Sequence, residues 1–468
     1  MDTKKLRQKI LDLAIRGKLV PQDPNDEPAS VLLERIRAEK EQLIKEGKIK
    51  RSKKSAATDK SHYENVPFEI PESWAWTTLG EITNYGQCEN VDVDKIATNE
   101  WILELEDIEK DSGRIIQKLC KNDRKACGTR HKFYRDEILY SKLRTYLNKV
   151  LVAPSSGFCT SEIIPIHCIE TNPWFICFVL RSNYFLDYTA SLGYGVKMPR
   201  LGTNDALISY IPLPPLSEQA RIVDEVAKWN IIIDEIEDDK LELESHIKKT
   251  KSKILDLAIS GKLVSQDPND APAIELLKRI NPDFQPCDNS HYENLPFEIP
   301  STWVWFSHND MLEISGGAQP PKSEFSEVMK PGYIRLYQIR DYGEKPIPIY
   351  IPLSTASKTT VKGDILLARY GGSLGKVFIA EDGAYNVAMA KVILCYPEVL
   401  NQKFVYYYYL SSIYQNKLRS ISRTAQAGFN SGDFEDMYFP LPPLEEQGRI
   451  VDAISSIWEM IDMITAEL

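Results

Sequence analysis

The sequence predicts an α+β protein in which two globular α+β domains are separated by a pair of long antiparallel coiled-coil helices, arranged as a pseudo-twofold cyclic repeat. Three observations lead to this prediction. Short segments recur in the same cyclic order in both halves of the chain, the stretches between them have diverged, and one recurring segment leads into a heptad pattern. Recurrence of this kind indicates one structural unit used twice.

The recurring segments form three matched pairs. Residues 10–36 match residues 254–280 at all but six of 27 positions. The other two pairs are SHYENVPFEIPESWAW at 61–76 with SHYENLPFEIPSTWVW at 290–305, and PLPPLSEQARIVD at 212–224 with PLPPLEEQGRIVD at 440–452. The blocks between SHYEN and PLPPL barely resemble each other, although each is long enough for its own core. Each block mixes β-branched and aromatic runs with helix-like stretches, which predicts two α+β domains.

An apolar heptad pattern follows the first PLPPL segment. Nine of the eleven positions reached by alternating steps of four and three from Ile222 to Leu257 are apolar, over about 54 Å of α-helix. The C-terminal copy carries the pattern to Leu468, and the N-terminal segment resumes it at Leu6. We therefore expect the two chain ends together to form one copy of the central helix. The two copies would run antiparallel and cover each other's apolar seam.

Domain boundaries follow from the same segments. We predict an N-terminal half of a composite helical region at 1–36, a charged linker at 37–60, a first globular domain at 61–216, a central helical region at 217–280, a linker at 281–289, a second globular domain at 290–444 and the C-terminal half of the composite helical region at 445–468. Trp74, Trp76, Trp303 and Trp305 recur at matching places. Tryptophans that stay the same in otherwise different domains are predicted to pack in the core.

Composition excludes several classes of protein. A hydrophobic content of 43% with 26% charged residues argues against wholesale disorder. The longest apolar run, at 174–180, is far shorter than the roughly 20 residues that cross a bilayer. The N-terminus lacks the apolar stretch of a signal peptide, so we expect a cytoplasmic protein. The eight cysteines include no CxxC pair, which favours reduced thiols over a metal site.

The chain has a net charge of −10, but its charged residues are distributed unevenly along the sequence. Residues 110–150 hold twelve Lys or Arg and four Asp or Glu, a net of +8. Residues 224–244 hold nine acidic residues and two lysines, a net of −7. Because phosphate contacts depend on local potential, the acidic average does not exclude a nucleic-acid surface.

Four loops contain candidate DNA contacts, in which phosphate donors stand beside groups able to read base edges. In the first domain the candidates are Lys142, Arg144, Tyr146, Asn148 and Lys149 of SKLRTYLNK, with Lys197 and Arg200 before the first PLPPL. In the second domain they are Arg369, Tyr370, Ser373 and Lys376 of LARYGGSLGKV, with Gln426, Phe429 and Asn430 before the second PLPPL. A solvated amphipathic strand and ordinary surface loops remain open as alternatives.

Motifs for catalysis or for cofactor binding are missing from the sequence. The glycine-rich LARYGGSLGKV is not a phosphate-binding P-loop, because Tyr370 stands where the motif needs glycine and Val377 where it needs Ser or Thr. HExxH, GxSxG and the N/D-P-P-Y/F motif of amino-methyltransferases are also absent. We therefore assign no catalytic, cofactor-binding or metal-binding residues.

These motifs resemble those of the specificity subunits of type I restriction–modification enzymes. PLPPL-x-E-Q-x-R-I-V occurs twice, I-P-x-x-W-x-W begins each domain, and LYSKLRTYLNKV and KGDILLARYGGSLGKV add to the likeness. The resemblance covers nearly all of the chain except 37–60. It implies a non-catalytic, sequence-specific DNA-binding subunit with two target-recognition domains, each reading one half of a bipartite double-stranded target.

The resemblance also implies partners. The helices would set the gap between the half-sites and dock two methylation subunits, and restriction/translocase subunits would join the assembly. S-adenosylmethionine, ATP and Mg²⁺ are expected on those subunits and not on this chain. Two other classes stay open: a fused restriction–methyltransferase or nuclease, which would bind S-adenosylmethionine alone, and a coiled-coil adaptor, which would lack DNA affinity even at low salt.

Overall fold

The computed structural model describes residues 2–50, 66–192, 198–280, 282, 295–421 and 428–466. The chain divides into two compact units, Met1–Asp239 (unit 1) and Lys240–Leu468 (unit 2). Both units mix helix and sheet, and one long helix lies between the two domains along the chain, which confirms the predicted α+β class. Within the described ranges, no helix is both long enough and apolar enough to span a bilayer.

The secondary structure of unit 1 combines helices at its two ends with three small sheets. Its elements are α1 (Thr3–Ile15), α2 (Ala29–Lys45), β1 (Ala75–Thr78), α3 (Leu79–Ile82), β2 (Glu89–Asp92), β3 (Ile102–Leu103), β4 (Thr129–Phe133), β5 (Ile138–Ser141), β6 (Val150–Val152), β7 (Gly157–Thr160), β8 (Ile163–Ile166), α4 (Pro173–Arg181), α5 (Asn183–Ser191), α6 (Thr203–Ile208), β9 (Tyr210–Leu213) and the first part of α7 (Leu216–Ile259). The sheet orders are β1-β9, β2-β4-β7-β3 and β6-β5-β8.

Unit 2 repeats this arrangement with different lengths. Its elements are the rest of α7, α8 (Ala273–Ile280), β10 (Val304–Ser307), α9 (His308–Met311), β11 (Leu312–Gly316), β12 (Tyr333–Tyr337), β13 (Tyr350–Pro352), β14 (Thr359–Thr360), β15 (Ile365–Ala368), β16 (Val377–Ile379), β17 (Gly383–Tyr385), β18 (Met389–Leu394), α10 (Gln402–Leu410), α11 (Ser412–Ile421), β19 (Tyr438–Leu441) and α12 (Leu444–Ala466). The sheet orders are β10-β19, β11-β18-β15-β16 and β13-β12-β17-β14.

The repeated tryptophan and PLPPL segments meet in a two-stranded antiparallel sheet in each unit. In unit 1, Trp76 of β1 stands opposite Pro212 of β9, and in unit 2, Trp305 of β10 stands opposite Pro440 of β19. Trp74, Trp76, Trp303 and Trp305 are all at most 8% exposed, which confirms the predicted core role. Each globular domain therefore begins and ends at the same sheet.

An antiparallel helix pair lies within each unit. In unit 1, Arg7 of α1 donates to Asp234 of α7 at 2.5 Å, and the later residue Gln22 reaches back to Glu218. In unit 2, Lys251 of α7 pairs with Asp462 of α12 at 2.6 Å. The residue that comes later in one segment contacts a residue that comes earlier in the other, so the paired helices run in opposite directions. The predicted meeting of the chain ends involves Met1 and Leu468, which lie outside the described residues.

The heptad prediction holds at most inner positions but is wrong at Trp229. Ile222, Val226 and Ile233 are at most 1% exposed, whereas Trp229 is 37% exposed. The neighbouring Asn230 accepts a hydrogen bond from Arg7 at 2.9 Å, so α1 lies over that side of α7. Trp229 is left at the edge of the helix pair.

A buried glutamate from each PLPPL segment joins three distant parts of its unit. In unit 1, the Glu218 carboxylate accepts from Trp74 Nε1 at 2.9 Å and from Gln22 Nε2 at 2.6 Å. In unit 2, Glu446 accepts from Trp303 Nε1 at 3.0 Å and from Gln266 Nε2 at 2.6 Å.

Both carboxylates are 0% exposed. Burial raises the pKa of Glu218 and of Glu446, and the tryptophan hydrogen bonds oppose that rise. The two donors therefore satisfy a carboxylate that has lost its water. We call each of these clusters a glutamate joint.

The residues after each glutamate add further contacts. Gln219 accepts from the backbone N–H of Asn172, the residue that caps α4, at 2.8 Å. Gln447 does the same for Asn401, the residue that caps α10, at 2.7 Å. The matching ion pairs, Arg221–Asp26 and Arg449–Asp270, both measure 2.6 Å. The E-Q-x-R sequence thus fastens helix, domain and D-P-N-D loop together in both units.

The glutamate joint generates a stability prediction. We expect Glu446→Gln to lower the free energy of unfolding by about 1–3 kcal/mol, because the new amide must turn its NH₂ toward one of two donors and leave it unpaired. The exposed neighbour Glu445 offers the matched control Glu445→Gln, for which we expect a change within about 0.5 kcal/mol. Urea unfolding of the full chain measures both variants, and equal effects would contradict the joint.

A buried histidine stands at the start of α9 in unit 2. His308 begins α9 and is 0% exposed, with its Nε2 at 2.8 Å from the Tyr409 hydroxyl and its Nδ1 at 2.9 Å from Asn309 Oδ1. Burial lowers the pKa of His308 from 6.5 to about 4. At the matching start of α3, unit 1 has the buried Leu79. The two residues are equivalent because each N–H donates to the segment before the last strand, to Ser209 O and Met437 O respectively.

The histidine predicts an acid-sensitive stability. As the pH falls below 6.5, the unfolded state binds a proton that folded His308 does not accept until about pH 4. We therefore expect the free energy of unfolding to fall across that window by up to about 3 kcal/mol. His308→Leu combined with Tyr409→Phe should reduce the loss, with a remainder from the buried His131, whose pKa burial also lowers. His246→Leu, at an exposed histidine, should leave the loss unchanged. Urea unfolding at several pH values measures this loss of stability in each variant. If the double variant loses as much stability at low pH as the wild type, His308 is not its cause.

Candidate nucleic-acid interface

Two hairpins at matching places in the units contain most of the predicted DNA contacts. Strands β5 and β6 enclose residues 142–149 (hairpin loop 1), and strands β15 and β16 enclose residues 369–376 (hairpin loop 2). Both strand pairs are antiparallel and have the same register, since Tyr140 stands opposite Val150 and Leu367 opposite Val377. The two loops are therefore equal in length and equivalent in position.

The backbones of the loops also turn at the same points. In hairpin loop 1, Arg144 and Asn148 have φ values of 52° and 49°, and in hairpin loop 2, Gly371 and Gly375 have φ values of 65° and 90°. These are the third and seventh positions of each loop. The second residue of each hairpin loop forms an antiparallel β-bridge with the loop before PLPPL. Leu143 pairs with Arg200 in unit 1, and Tyr370 pairs with Gly428 in unit 2. One loop shape thus presents two different sets of side chains.

Different amides hold the seventh position in the two units. Asn148 is 1% exposed and its Nδ2 donates to Arg181 O, at the end of α4, at 3.0 Å. Gly375 has no side chain, and Gln415 of α11 supplies the amide, donating to Gly375 O at 2.8 Å and to Tyr409 O at 3.0 Å. The amide that connects loop and helix therefore belongs to the loop in unit 1 and to the helix in unit 2. This explains how the sequences diverge while the loop shape persists.

Several predicted contact residues are engaged inside their own domain. Lys149 Nζ donates to Leu105 O at 2.6 Å, and burial lowers the pKa of Lys149. Arg369 Nη2 donates to Phe429 O at 3.1 Å, and the Phe429 side chain is 2% exposed. Asn148 and Phe429 do not reach solvent. These four residues therefore contact their own domain, with Asn148 and Phe429 buried and Lys149 and Arg369 half-buried.

Other predicted residues lie on the surface. Arg144, Tyr146, Tyr370 and Lys376 are exposed, while Lys142 and Ser373 are half-buried. Arg200 is exposed but donates to both carboxylate oxygens of Glu162, at 3.0 and 3.2 Å. Asn430 is exposed, and its side-chain oxygen accepts from Gly432 N at 2.9 Å. Lys197 and Gln426 lie outside the described residues.

The basic stretch 110–150 is less positive than its count indicates. Arg124 pairs with the buried Asp107 at 2.8 Å, and Arg130 pairs with Glu104 at 2.8 Å. Arg114 pairs with Glu109 at 3.2 Å. These acidic partners come immediately before the counted window, so a count along the chain does not include them. The charge available to a ligand is smaller than the sequence predicts.

Sequence reasoning missed the equivalence of the two hairpin loops. EILYSKLRTYLNKV at 137–150 and DILLARYGGSLGKV at 364–377 align at a constant offset of 227, with no gap. The shared I-L start and K-V end, and the matching third and seventh positions, were a detectable signal. The signal is weak because Arg144 and Asn148 occupy turn positions that glycine fills in unit 2.

Comparison with known proteins shows which family this chain resembles. Residues 300–468 match the model of the type I restriction modification DNA specificity domain. The chain is 27% identical to the type I restriction enzyme EcoEI specificity subunit of Escherichia coli, over 99% of this chain and 90% of that relative. It is 32% identical to the EcoAI specificity subunit of Escherichia coli, over 64% of this chain and 61% of that relative. The chain is therefore similar, over nearly its whole length, to a specificity subunit of the type I restriction–modification enzymes.

A solved structure shares the fold of this chain. It is described as "Structural basis underlying complex assembly and conformational transition of the type I R-M system". It aligns with a TM-score of 0.62 at 21% identity, covering 86% of this chain and 94% of the solved one. The matched domain model and both named relatives thus point to the specificity subunits of type I restriction–modification systems.

The two hairpin lysines give a matched pair for mutation. We expect Lys149→Ala to lower the free energy of unfolding by about 1–3 kcal/mol, because Leu105 O loses its charged donor. Lys376→Ala, at the equivalent but exposed position, should change the free energy of unfolding by less than about 0.5 kcal/mol. Urea unfolding of the two full-length variants measures the difference. Equal destabilisation would contradict the different placement of the two lysines.

Proposed function

We propose that each unit of this specificity subunit reads one half of a bipartite double-stranded DNA target with its hairpin loop. The observation that supports this most directly is the pair of loops with one backbone shape and unlike exposed side chains. To read two different base sequences, the two loops must approach a DNA groove in the same way but present different hydrogen-bonding groups to the base edges. Hairpin loop 1 offers Arg144 and Tyr146 where hairpin loop 2 offers glycine and Ser373.

Helix α7 supports a fixed gap between the half-sites. It continues without a break over 44 residues, from unit 1 into unit 2. A continuous α-helix is a stiff spacer, with a rise of about 1.5 Å per residue. In this proposal the length of α7, together with the helices that pack on it in each unit, sets the number of unread base pairs.

We further propose that two methylation subunits dock on these helices and that restriction/translocase subunits join the assembly. Large apolar side chains are exposed on α7 and α12, including Ile231 at 59%, Leu241 at 64% and Met463 at 63%. Met460, Met463 and Ile464 share one face of α12 by their spacing and are all more than half exposed. A contiguous apolar face of this kind is typical of surfaces that partners cover. S-adenosylmethionine, ATP and Mg²⁺ would be bound by those partners, which act on DNA in the cytoplasm.

The proposal predicts the form of the recognition sequence. In a host that expresses this chain with its methylation subunits, sequencing of methylated DNA should show two short fixed sequences separated by an unspecified gap. Inserting seven residues after Lys240, with a matching insertion in the helix formed by the chain ends, should lengthen the gap and preserve both half-sites. Altered half-sites would contradict the spacer role.

DNA binding by the assembly should also depend steeply on salt. The logarithm of its affinity should fall linearly with the logarithm of the salt concentration, because phosphate contacts release counterions. The contrary result would be DNA affinity that is absent at low salt even with methylation subunits present. That result would favour an adaptor whose domains bind proteins.

A further inference from the structure

Arg144 occupies a backbone conformation that its residue type disfavours. Its φ and ψ are 52° and 59°, in the left-handed region. Side chains other than glycine, asparagine and aspartate rarely adopt this conformation, because the Cβ atom approaches the neighbouring carbonyl oxygen. At the equivalent third position of hairpin loop 2, unit 2 has Gly371 with φ of 65°. The fold itself would therefore accept glycine at position 144.

The backbone around Arg144 is firmly held. Its N–H donates to Pro199 O at 2.7 Å, and its carbonyl accepts from Leu147 N at 2.9 Å. The left-handed conformation is thus imposed by contacts on both sides of the residue. Strain held in this way is typical of functional positions, where the surrounding structure compensates for it.

The side chain of Arg144 differs from those of the neighbouring arginines. Residues 110–150 are all described, and of their five arginines, four pair with a carboxylate: Arg114 with Glu109, Arg124 with Asp107, Arg130 with Glu104 and Arg135 with Asp136. Across the described part of the chain, the exposed Arg144 side chain has no hydrogen bond, ion pair or ring contact. Its guanidinium is available to a ligand.

We propose that Arg144 reads a guanine in the half-site bound by unit 1. A guanidinium presents two parallel N–H donors, which match the O6 and N7 acceptors of guanine in the major groove. Base reading needs a fixed direction of approach, which the held backbone supplies. A phosphate contact carries no sequence information, so it gives no reason for the two units to differ at this position. This inference rests on the proposed function and names one of its base contacts.

The test uses two substitutions that fit the left-handed backbone, Arg144→Gly and Arg144→Asn. Each variant is expressed with the methylation subunits, and methylated sites are sequenced. One position of one half-site should change from guanine to no preference, while the other half-site stays the same. The preference for guanine at that position should fall by about 5- to 150-fold. The thermal midpoint of the full-length Arg144→Gly chain should be unchanged or higher.

A matched control removes the same charge from the same domain. Arg135→Ala, at a side chain that is 74% exposed, should leave both half-sites unchanged. An unchanged motif in both Arg144 variants would overturn the inference. A uniform loss of methylation with the guanine preference retained would also overturn it, since this is the behaviour of a phosphate contact. If the wild-type assembly itself shows no two-part motif, the proposed function fails and not this inference alone.

Discussion

A buried carboxylate in each unit accepts hydrogen bonds from a tryptophan and a glutamine that are far away in the chain. Glu218 and Glu446 are fully buried, so each needs both donors to offset its lost hydration. The tryptophan stands immediately before the first strand of the globular domain, the glutamine lies in a loop after a helix, and the glutamate lies in the first turn of α7 or α12. The rest of each unit depends on this joint, because it fixes where the domain sits on its helix pair.

The joint separates the parts of the chain that must stay the same from those that can differ. The same hydrogen bonds occur in both units, and both units share one hairpin geometry. The exposed side chains of the two hairpin loops differ, and in unit 2 Gln415 of α11 supplies the amide that Asn148 supplies in unit 1. A protein built in this way can change what one domain reads without disturbing its other contacts. This is the property that recognition of an asymmetric two-part DNA sequence needs.

The sequence predicted the frame well because its determinants are local or repeated. The heptad positions, the tryptophans and the order of the repeats can be read directly, and the structure confirms the long helix and the buried tryptophans. The candidate contacts were harder to predict, because a side chain's direction depends on the whole domain. Asn148 and Phe429 are buried, and Lys149 donates to a distant carbonyl. Arg144 differs from these residues in its left-handed backbone and its unpaired side chain, and the local sequence indicates neither feature.

The central claim is that the two hairpin loops are equivalent reading surfaces carried by equivalent joints. Amide hydrogen exchange of the full chain, assembled with methylation subunits and compared with and without target DNA, tests it most directly. The account predicts slower exchange on DNA binding in both 142–149 and 369–376, with little change at the glutamate joints. Protection at only one loop, or on other surfaces of the domains with both loops unaffected, would contradict it.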